Sequence, residues 1–245
     1  MKAVVTGAAG GTGAGIPMRS NLLLSGGFDG DHDFSTSASL AAVLSGAGFE
    51  TDVEHDVDAG LARLACGRYD LVTCNALRWQ MLGDAYAPWR ERFGFSPSPE
   101  ARAALVGHLA RGGGLLAVHT AVICFDDWSE WASILGASWS WGRSSHPPVG
   151  PVSVVVDNTE HPVVAGVGGF DVVDEVYSFL DVADDVEPLM TACPGLLAQP
   201  LVWARSHGGG RVVVDTLGHD RRSYASEAHA TVVRQAAKWL VGKGA

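Results

Sequence analysis

Cysteine is sparse in this chain of 245 residues, and the four present, Cys66, Cys74, Cys124 and Cys193, form no CxxC pair. Their spacing excludes a zinc knuckle and supplies no disulfide framework, so they are expected to be reduced thiols, mostly buried. Positive charge is also in deficit. Seventeen basic residues against 27 acidic ones leave a formal charge of −10, and the acidic residues are scattered. Such a field repels a phosphate backbone, which argues against nucleic acid as a partner. Long apolar runs are missing too. Glycine, charge or histidine interrupts each one well short of the roughly 18 residues that cross a bilayer, so no membrane partner is expected. Charged residues make up only 18% and hydrophobic residues 47%, which is the composition of a globular chain and not of a disordered one.

The opening segment is broken by Gly7, Gly10, Gly11, Gly13 and Gly15. It lacks the continuous apolar core of a secretory signal, and a soluble, cytoplasmic protein is the expectation. Thr6-Gly7-Ala8-Ala9-Gly10-Gly11-Thr12-Gly13 satisfies the glycine pattern TGxxxGxG of short-chain dehydrogenases. A pyrophosphate loop, however, needs a strand before it and a helix after it. Pro17 and a second strand-like run follow here with no room for the helix, so no nucleotide cofactor is expected. Residues 1–18 read as a flexible extension and 19–245 as one domain. No repeat and no polar linker divides the remainder.

From Ser20 the pattern is regular. Asn21–Ser25 is a short apolar strand ending at Gly26-Gly27, Ser37–Leu44 recurs at helical spacing, and Glu50–Glu54 alternates as a strand. Asp58–Leu64 reads as a helix and Tyr69–Cys74 as a third strand. Pro99–Ala110 forms a helix stopped by Gly112-Gly113-Gly114, and Leu115–Val118 follows as a buried strand. This alternation predicts an α/β fold with a mostly parallel sheet covered on both faces. Further strands are expected at Val152–Val156, Val172–Tyr177 and Pro188–Ala192. A hairpin from Leu201–Arg205 to Arg211–Thr216 and a last helix, Ser226–Leu240, complete the reading. His229 is expected on the exposed side of that helix.

In open parallel sheets ligands bind beyond the carboxyl ends of the strands. Four places qualify: His32 after the first strand, Asn75 to Trp79 after the third, His119 after the fourth and His219 after the last. Gly113-Gly114-Leu115-Leu116-Ala117-Val118-His119-Thr120-Ala121 is the most informative stretch. A buried strand runs into small residues flanking one polar side chain, the sequence form of a nucleophile elbow. Related amidotransferases carry cysteine at the elbow. A histidine there can be a base, an acid or a metal ligand, but it replaces a thiolate poorly in glutamine hydrolysis. Cys124 stands five residues beyond the elbow, so a glutamine amidotransferase is not expected.

Several ordered motifs together resemble the ThuA (trehalose utilisation) family. They are Gly113–His119, Trp128 and Trp131, Ile134-Leu135-Gly136-Ala137, His161-Pro162-Val163, Asp174-Glu175-Val176-Tyr177, Gly210-Arg211-Val212-Val213 and Leu217-Gly218-His219. The match spans roughly residues 20–242. The resemblance implies a flavodoxin-like three-layer sandwich of the class I glutamine amidotransferase-like type. It also implies a place in carbohydrate catabolism, beside oxidoreductases that make keto-sugars.

The candidate catalytic residues are His119, His219 and Glu175, expected to converge above the sheet as an acid/base set or as ligands of a divalent metal. His32, Asn75, Arg78, Trp79, His146 and Tyr177 are the candidate substrate contacts. His32 lies in a polar loop where Asp33 or Ser35 could cap the next helix. His146 ranks above His161 because it follows the aromatic stretch Trp139–Trp141. Arg78 beside Trp79 pairs a cation with an aromatic surface, and tryptophans near loops suit the apolar face of a sugar ring. The expected ligand is a small sugar or keto-sugar, handled by hydrolysis, elimination or isomerisation. A homo-oligomer is compatible with this reading. The alternative is a non-catalytic ligand- or partner-binding module, for which the three residues would not converge.

Overall fold

The computed structural model describes residues 18–242. The glycine-rich segment 1–17, where the sequence predicts a flexible extension, lies outside the described residues. In chain order the elements are β1 (Arg19–Gly27), α1 (Thr36–Ser45), β2 (Phe49–Glu54), α2 (Val57–Arg63), β3 (Leu71–Leu77), α3 (Arg90–Phe93) and α4 (Pro99–Ala110). These are followed by β4 (Gly114–Val118), α5 (Ser129–Leu135), β5 (Ala137–Ser138), β6 (Gly150–Val156), β7 (Phe170–Asp174) and β8 (Asp181–Val182). The chain continues with β9 (Pro188–Ala192), β10 (Gln199–His207), β11 (Gly210–Asp215), α6 (Arg221–Ala225) and α7 (Glu227–Leu240).

Successive side chains of a strand point to opposite faces, so a strand covered on both sides reads as an unbroken apolar run. In β1, Leu22 and Leu24 pack on one side with Leu61 of α2, Leu105 of α4 and Ile134 of α5. Leu23 packs on the other with Leu40 of α1, Tyr224 of α6 and Val233 of α7. β3 and β4 are buried along their whole length for the same reason. Four helices begin where the sequence offers an acceptor for free backbone N–H groups: Asp56 caps α2, Ser98 caps α4 ahead of Pro99, Asp220 caps α6 and Ser226 caps α7.

The main sheet has nine strands in the order β2-β1-β3-β4-β11-β10-β9-β6-β7. Strands β2, β1, β3, β4 and β11 are mutually parallel. From β11 onward every pairing is antiparallel. The sheet is therefore mixed, and the mostly parallel expectation describes one half of it. The reason is the Gly208-Gly209 turn, which returns β11 beside β10 as a hairpin instead of through a crossover helix.

The expected strand Val172–Tyr177 instead occupies Phe170–Asp174. Beyond Asp174 the chain leaves the sheet, and Glu175 and Tyr177 stand at its carboxyl edge. His229 is not exposed. It is fully buried, with Nε2 2.9 Å from Asp215 Oδ2 and Nδ1 2.9 Å from Ser223 Oγ. Helical periodicity puts it on the face that α7 presents to the core. The cysteines divide evenly, with Cys74 and Cys124 buried and Cys66 and Cys193 exposed.

Candidate active site

All the polar loops singled out from the sequence leave the sheet at the carboxyl ends of strands. The loop after β1 delivers His32, the one after β3 delivers Trp79, and the turn after β4 delivers His119. Gly218 and His219 follow β11, and Glu175 and Tyr177 follow β7. His146 comes from the loop between β5 and β6.

His119 adopts φ +45°, a left-handed conformation that costs a non-glycine residue about 1–2 kcal/mol. Val118 before it is still extended, so the chain turns within one residue and leaves the imidazole above the sheet. The Nδ1–H donates to the Thr216 carbonyl at 2.8 Å. The Tyr177 hydroxyl donates to Nε2 at 3.0 Å, and the two rings stack with centroids 4.6 Å apart. On the neighbouring strand Gly218 has φ +122°, and a Cβ there would lie 2.5 Å from the Tyr224 hydroxyl. Glycine thus lets the chain turn tightly under His219. The carboxylate of Asp174 accepts from the Gly218 N–H at 2.8 Å and the His219 N–H at 3.1 Å, fixing that turn.

Glu175 sits among three imidazoles. Its Oε1 is 2.9 Å from His146 Nδ1, and its Oε2 is 3.2 Å from His219 Nδ1 and 3.7 Å from His119 Nε2. Burial favours its neutral acid, but the hydrogen bonds from His146 and His219 prevail and hold the carboxyl at about 2. The same contacts raise His146 and His219 above the ordinary histidine value. Burial acts oppositely on the other two imidazoles, lowering His119 to about 4 and His32 to about 3. Burial also raises the Tyr177 hydroxyl well above its usual value, so the phenol keeps its proton.

His32, expected in a polar loop, is only 3% exposed. Its Nε2 meets Asn75 Oδ1 at 3.2 Å, while Asn75 Nδ2 donates to Thr36 Oγ1 at 3.0 Å and Ser37 Oγ at 2.9 Å. One ring nitrogen each of His32, His119 and His219 lies within 4.8 Å of the others. This is the donor set of the described residues that could hold a metal ion. Glu175, which the sequence groups with His119 and His219 as a ligand, stands beside the set and not in it.

The site opens into a cavity of about 1000 Å³. Trp79, Tyr86, Trp139 and Trp141 form an aromatic wall, with Trp79 and Trp141 stacked at 5.9 Å. Asp29, Asp31 and Asp33 also line the cavity. The structure thus gathers His32, Trp79, His146, Glu175, Tyr177 and His219 around one space, with His119 fully buried behind them in contact with Tyr177. Two candidates are elsewhere. Arg78 turns away, with its guanidinium 5.6 Å from the Phe95 ring, because successive residues after β3 face opposite sides. Asn75 is fully buried behind His32 and spends its amide on internal partners. His161 lies in a turn against Trp239, away from the cavity.

Asp31 and Tyr86 are not among the candidates that the sequence offers, and Asp174, which it places beside Glu175, serves to fix the Gly218-His219 turn. Asp31 stands next to His32, so adjacency was the available signal. Tyr86 had none. The Cys124 thiol is buried, donates to the Ala76 carbonyl at 3.0 Å, and is pushed well above its ordinary pKa by burial. A thiol so placed is not a nucleophile.

Fold and site together define an α/β protein with a histidine-centred cleft where parallel strands end. The trehalose utilisation (ThuA) family model matches residues 22–240, and the chain belongs to that family. Among solved structures, a ThuA-like protein from Parabacteroides merdae superposes with a TM-score of 0.73 at 20% identity, covering 91% of this chain and 90% of that one. Another from Bacteroides uniformis gives 0.67 at 19% identity, over 97% and 96%. A β-galactosidase from Rahnella gives 0.59 at 14% identity, over 91% of this chain and 31% of the larger enzyme. These similarities show a shared fold. No protein of curated function matches the sequence.

Proposed function

We propose that this protein is an enzyme of carbohydrate catabolism that acts on a sugar or keto-glycoside by proton transfer at the Glu175 cluster. The observation that carries this reading is the placement of one ionised carboxylate among His119, His146 and His219 at the floor of an aromatic-walled cavity. Tryptophan faces suit the C–H face of a sugar ring, and carboxylates lining the same cavity suit its hydroxyls. The parallel half of the sheet has the flavodoxin-like order 2-1-3-4-5, and the cleft sits at the strand ends where such folds bind ligands.

The roles follow from geometry. Glu175 stays ionised and stabilises positive charge on His146 and His219, which exchange protons with the substrate. A ketone acidifies the hydrogen on the adjacent carbon, so abstraction there by an imidazole suits elimination or isomerisation. Tyr177 keeps its proton, donates it to His119 Nε2 and so holds that imidazole in place beside Glu175. The test is a screen of glycosides and 3-keto-glycosides with the full chain, comparing the wild type with Glu175→Gln and His219→Ala. Turnover lost in both variants supports the reading. Equal turnover in all three, or none by the wild type on any compound, overturns it and favours the non-catalytic binding module.

A further inference from the structure

The hydrogen-bond network fixes the tautomers of two buried imidazoles, His32 and His119, beside the partly exposed ring of His219. Asn75 spends both N–H bonds on Thr36 and Ser37, so its Oδ1 accepts and His32 Nε2 must carry the hydrogen. His32 Nδ1 is then an unprotonated acceptor, and it is buried without a partner. The Thr216 carbonyl takes the Nδ1–H of His119 and leaves its Nε2 as an acceptor, which the Tyr177 hydroxyl meets at 3.0 Å and which a metal would take over from that hydroxyl. The ring centroids are 5.4 Å apart for His32 and His119, 5.4 Å for His119 and His219, and 6.3 Å for His32 and His219.

From this we infer that His32, His119 and His219 form a divalent metal site. His32 Nδ1 is a buried acceptor without a partner, and one nitrogen of each ring lies within 4.8 Å of the other two, so a single cation can meet all three. The Asn75 amide and the Thr216 carbonyl are what a metal site requires behind its histidines: acceptors on the far nitrogen that fix tautomer and ring orientation. Three imidazole nitrogens, His219 giving up its proton to the medium on binding, select a borderline ion of the zinc type over magnesium or calcium, which prefer all-oxygen cages. Three protein ligands also leave a position open toward the cavity. On the sugar reading above, that position would take a carbonyl or hydroxyl oxygen and polarise it. The inference extends the site beyond the Glu175 cluster and makes His32 a ligand instead of a loop residue.

The test is cobalt(II) titration of the full chain after chelation and dialysis, read by visible absorption, with zinc then used to displace it. The expected result is saturation at about one equivalent, loss of the spectrum on zinc addition, and a higher thermal midpoint with either metal. His32→Ala and His219→Ala should each abolish the spectrum, Asn75→Ala should weaken affinity about 10–100-fold, and His55→Ala, on the exposed surface, should bind like the wild type. His32→Gln provides the same reading if the alanine variant does not fold. No cobalt spectrum in the wild type, or an unchanged one in a folded His32 variant, overturns the site. Turnover without metal binding would leave the acid/base reading standing alone. Binding without turnover of any sugar would do the reverse.

Discussion

The Tyr177 hydroxyl reaches His119 Nε2 at 3.0 Å from a segment 58 residues away, while the opposite nitrogen of the ring is held by Thr216. Two segments from the second half of the chain thus fix an imidazole delivered by the first half. Tyr177→Phe should remove the donor while keeping the stacked ring. Stability should fall by only about 0.5–1.5 kcal/mol, but turnover should fall by about 10²-fold or more. Thermal unfolding measured beside kcat checks this, and unchanged kcat would assign Tyr177 to packing.

His119 carries backbone strain as well as chemistry. At φ +45° glycine is unpenalised, so His119→Gly should be more stable than His119→Ala by about 1 kcal/mol, although glycine lowers stability in most other settings. Urea denaturation of the two variants decides the matter. Both should be inactive, since neither restores the imidazole.

Glu175→Gln retains the side-chain shape and removes the charge. The hydrogen bond from His146 to the carboxylate is the main reason that imidazole titrates above its ordinary value. Its ring proton resonances should therefore titrate at lower pH in the variant, and turnover should fall by about 10²–10⁴-fold. An unmoved His146 titration would show that the carboxylate does not govern it.

Trp141 is 47% exposed and stacks on Trp79 at the mouth of the cavity. Trp141→Ala should leave the fold intact and raise KM about tenfold, the loss of roughly 1.4 kcal/mol of ring contact, with kcat nearly constant. A change in kcat with KM constant would place the residue in the chemistry instead.

The buried pair His229 and Asp215 makes a prediction about stability. Burial disfavours the imidazolium, but Asp215 prevails and the pKa of His229 lies above the ordinary value. Because the folded pKa is raised, the contribution of the pair is complete below the unfolded value of about 6.5 and is lost as pH rises through the folded one. His229→Ala should cost about 3–5 kcal/mol by leaving Asp215 unpaired. The gap between variant and wild type should narrow with rising pH in urea denaturation, and a gap that widened would reverse the assignment.

Much of the architecture was legible locally because it rests on short-range rules. Proline after serine opened α4 at residue 99, glycines closed it, and apolar runs of strand length marked β1, β3 and β4. Small residues around His119 announced a sharp turn. The ordered motifs carried the family, and the position of Glu175 and His219 at strand ends carried the expectation that they would meet His119. What local pattern could not supply was direction and distance. Arg78 and Trp79 are neighbours in sequence, yet one faces Phe95 and the other the cavity. Periodicity alone did not say which face of α7 was covered, so His229 was misplaced. The pairing of β10 with β11, and the arrival of Asn75 behind His32, join residues through the sheet and not along the chain. Only tertiary packing decided that His32 would be buried with a free lone pair, because its environment is built by strands that are remote in sequence.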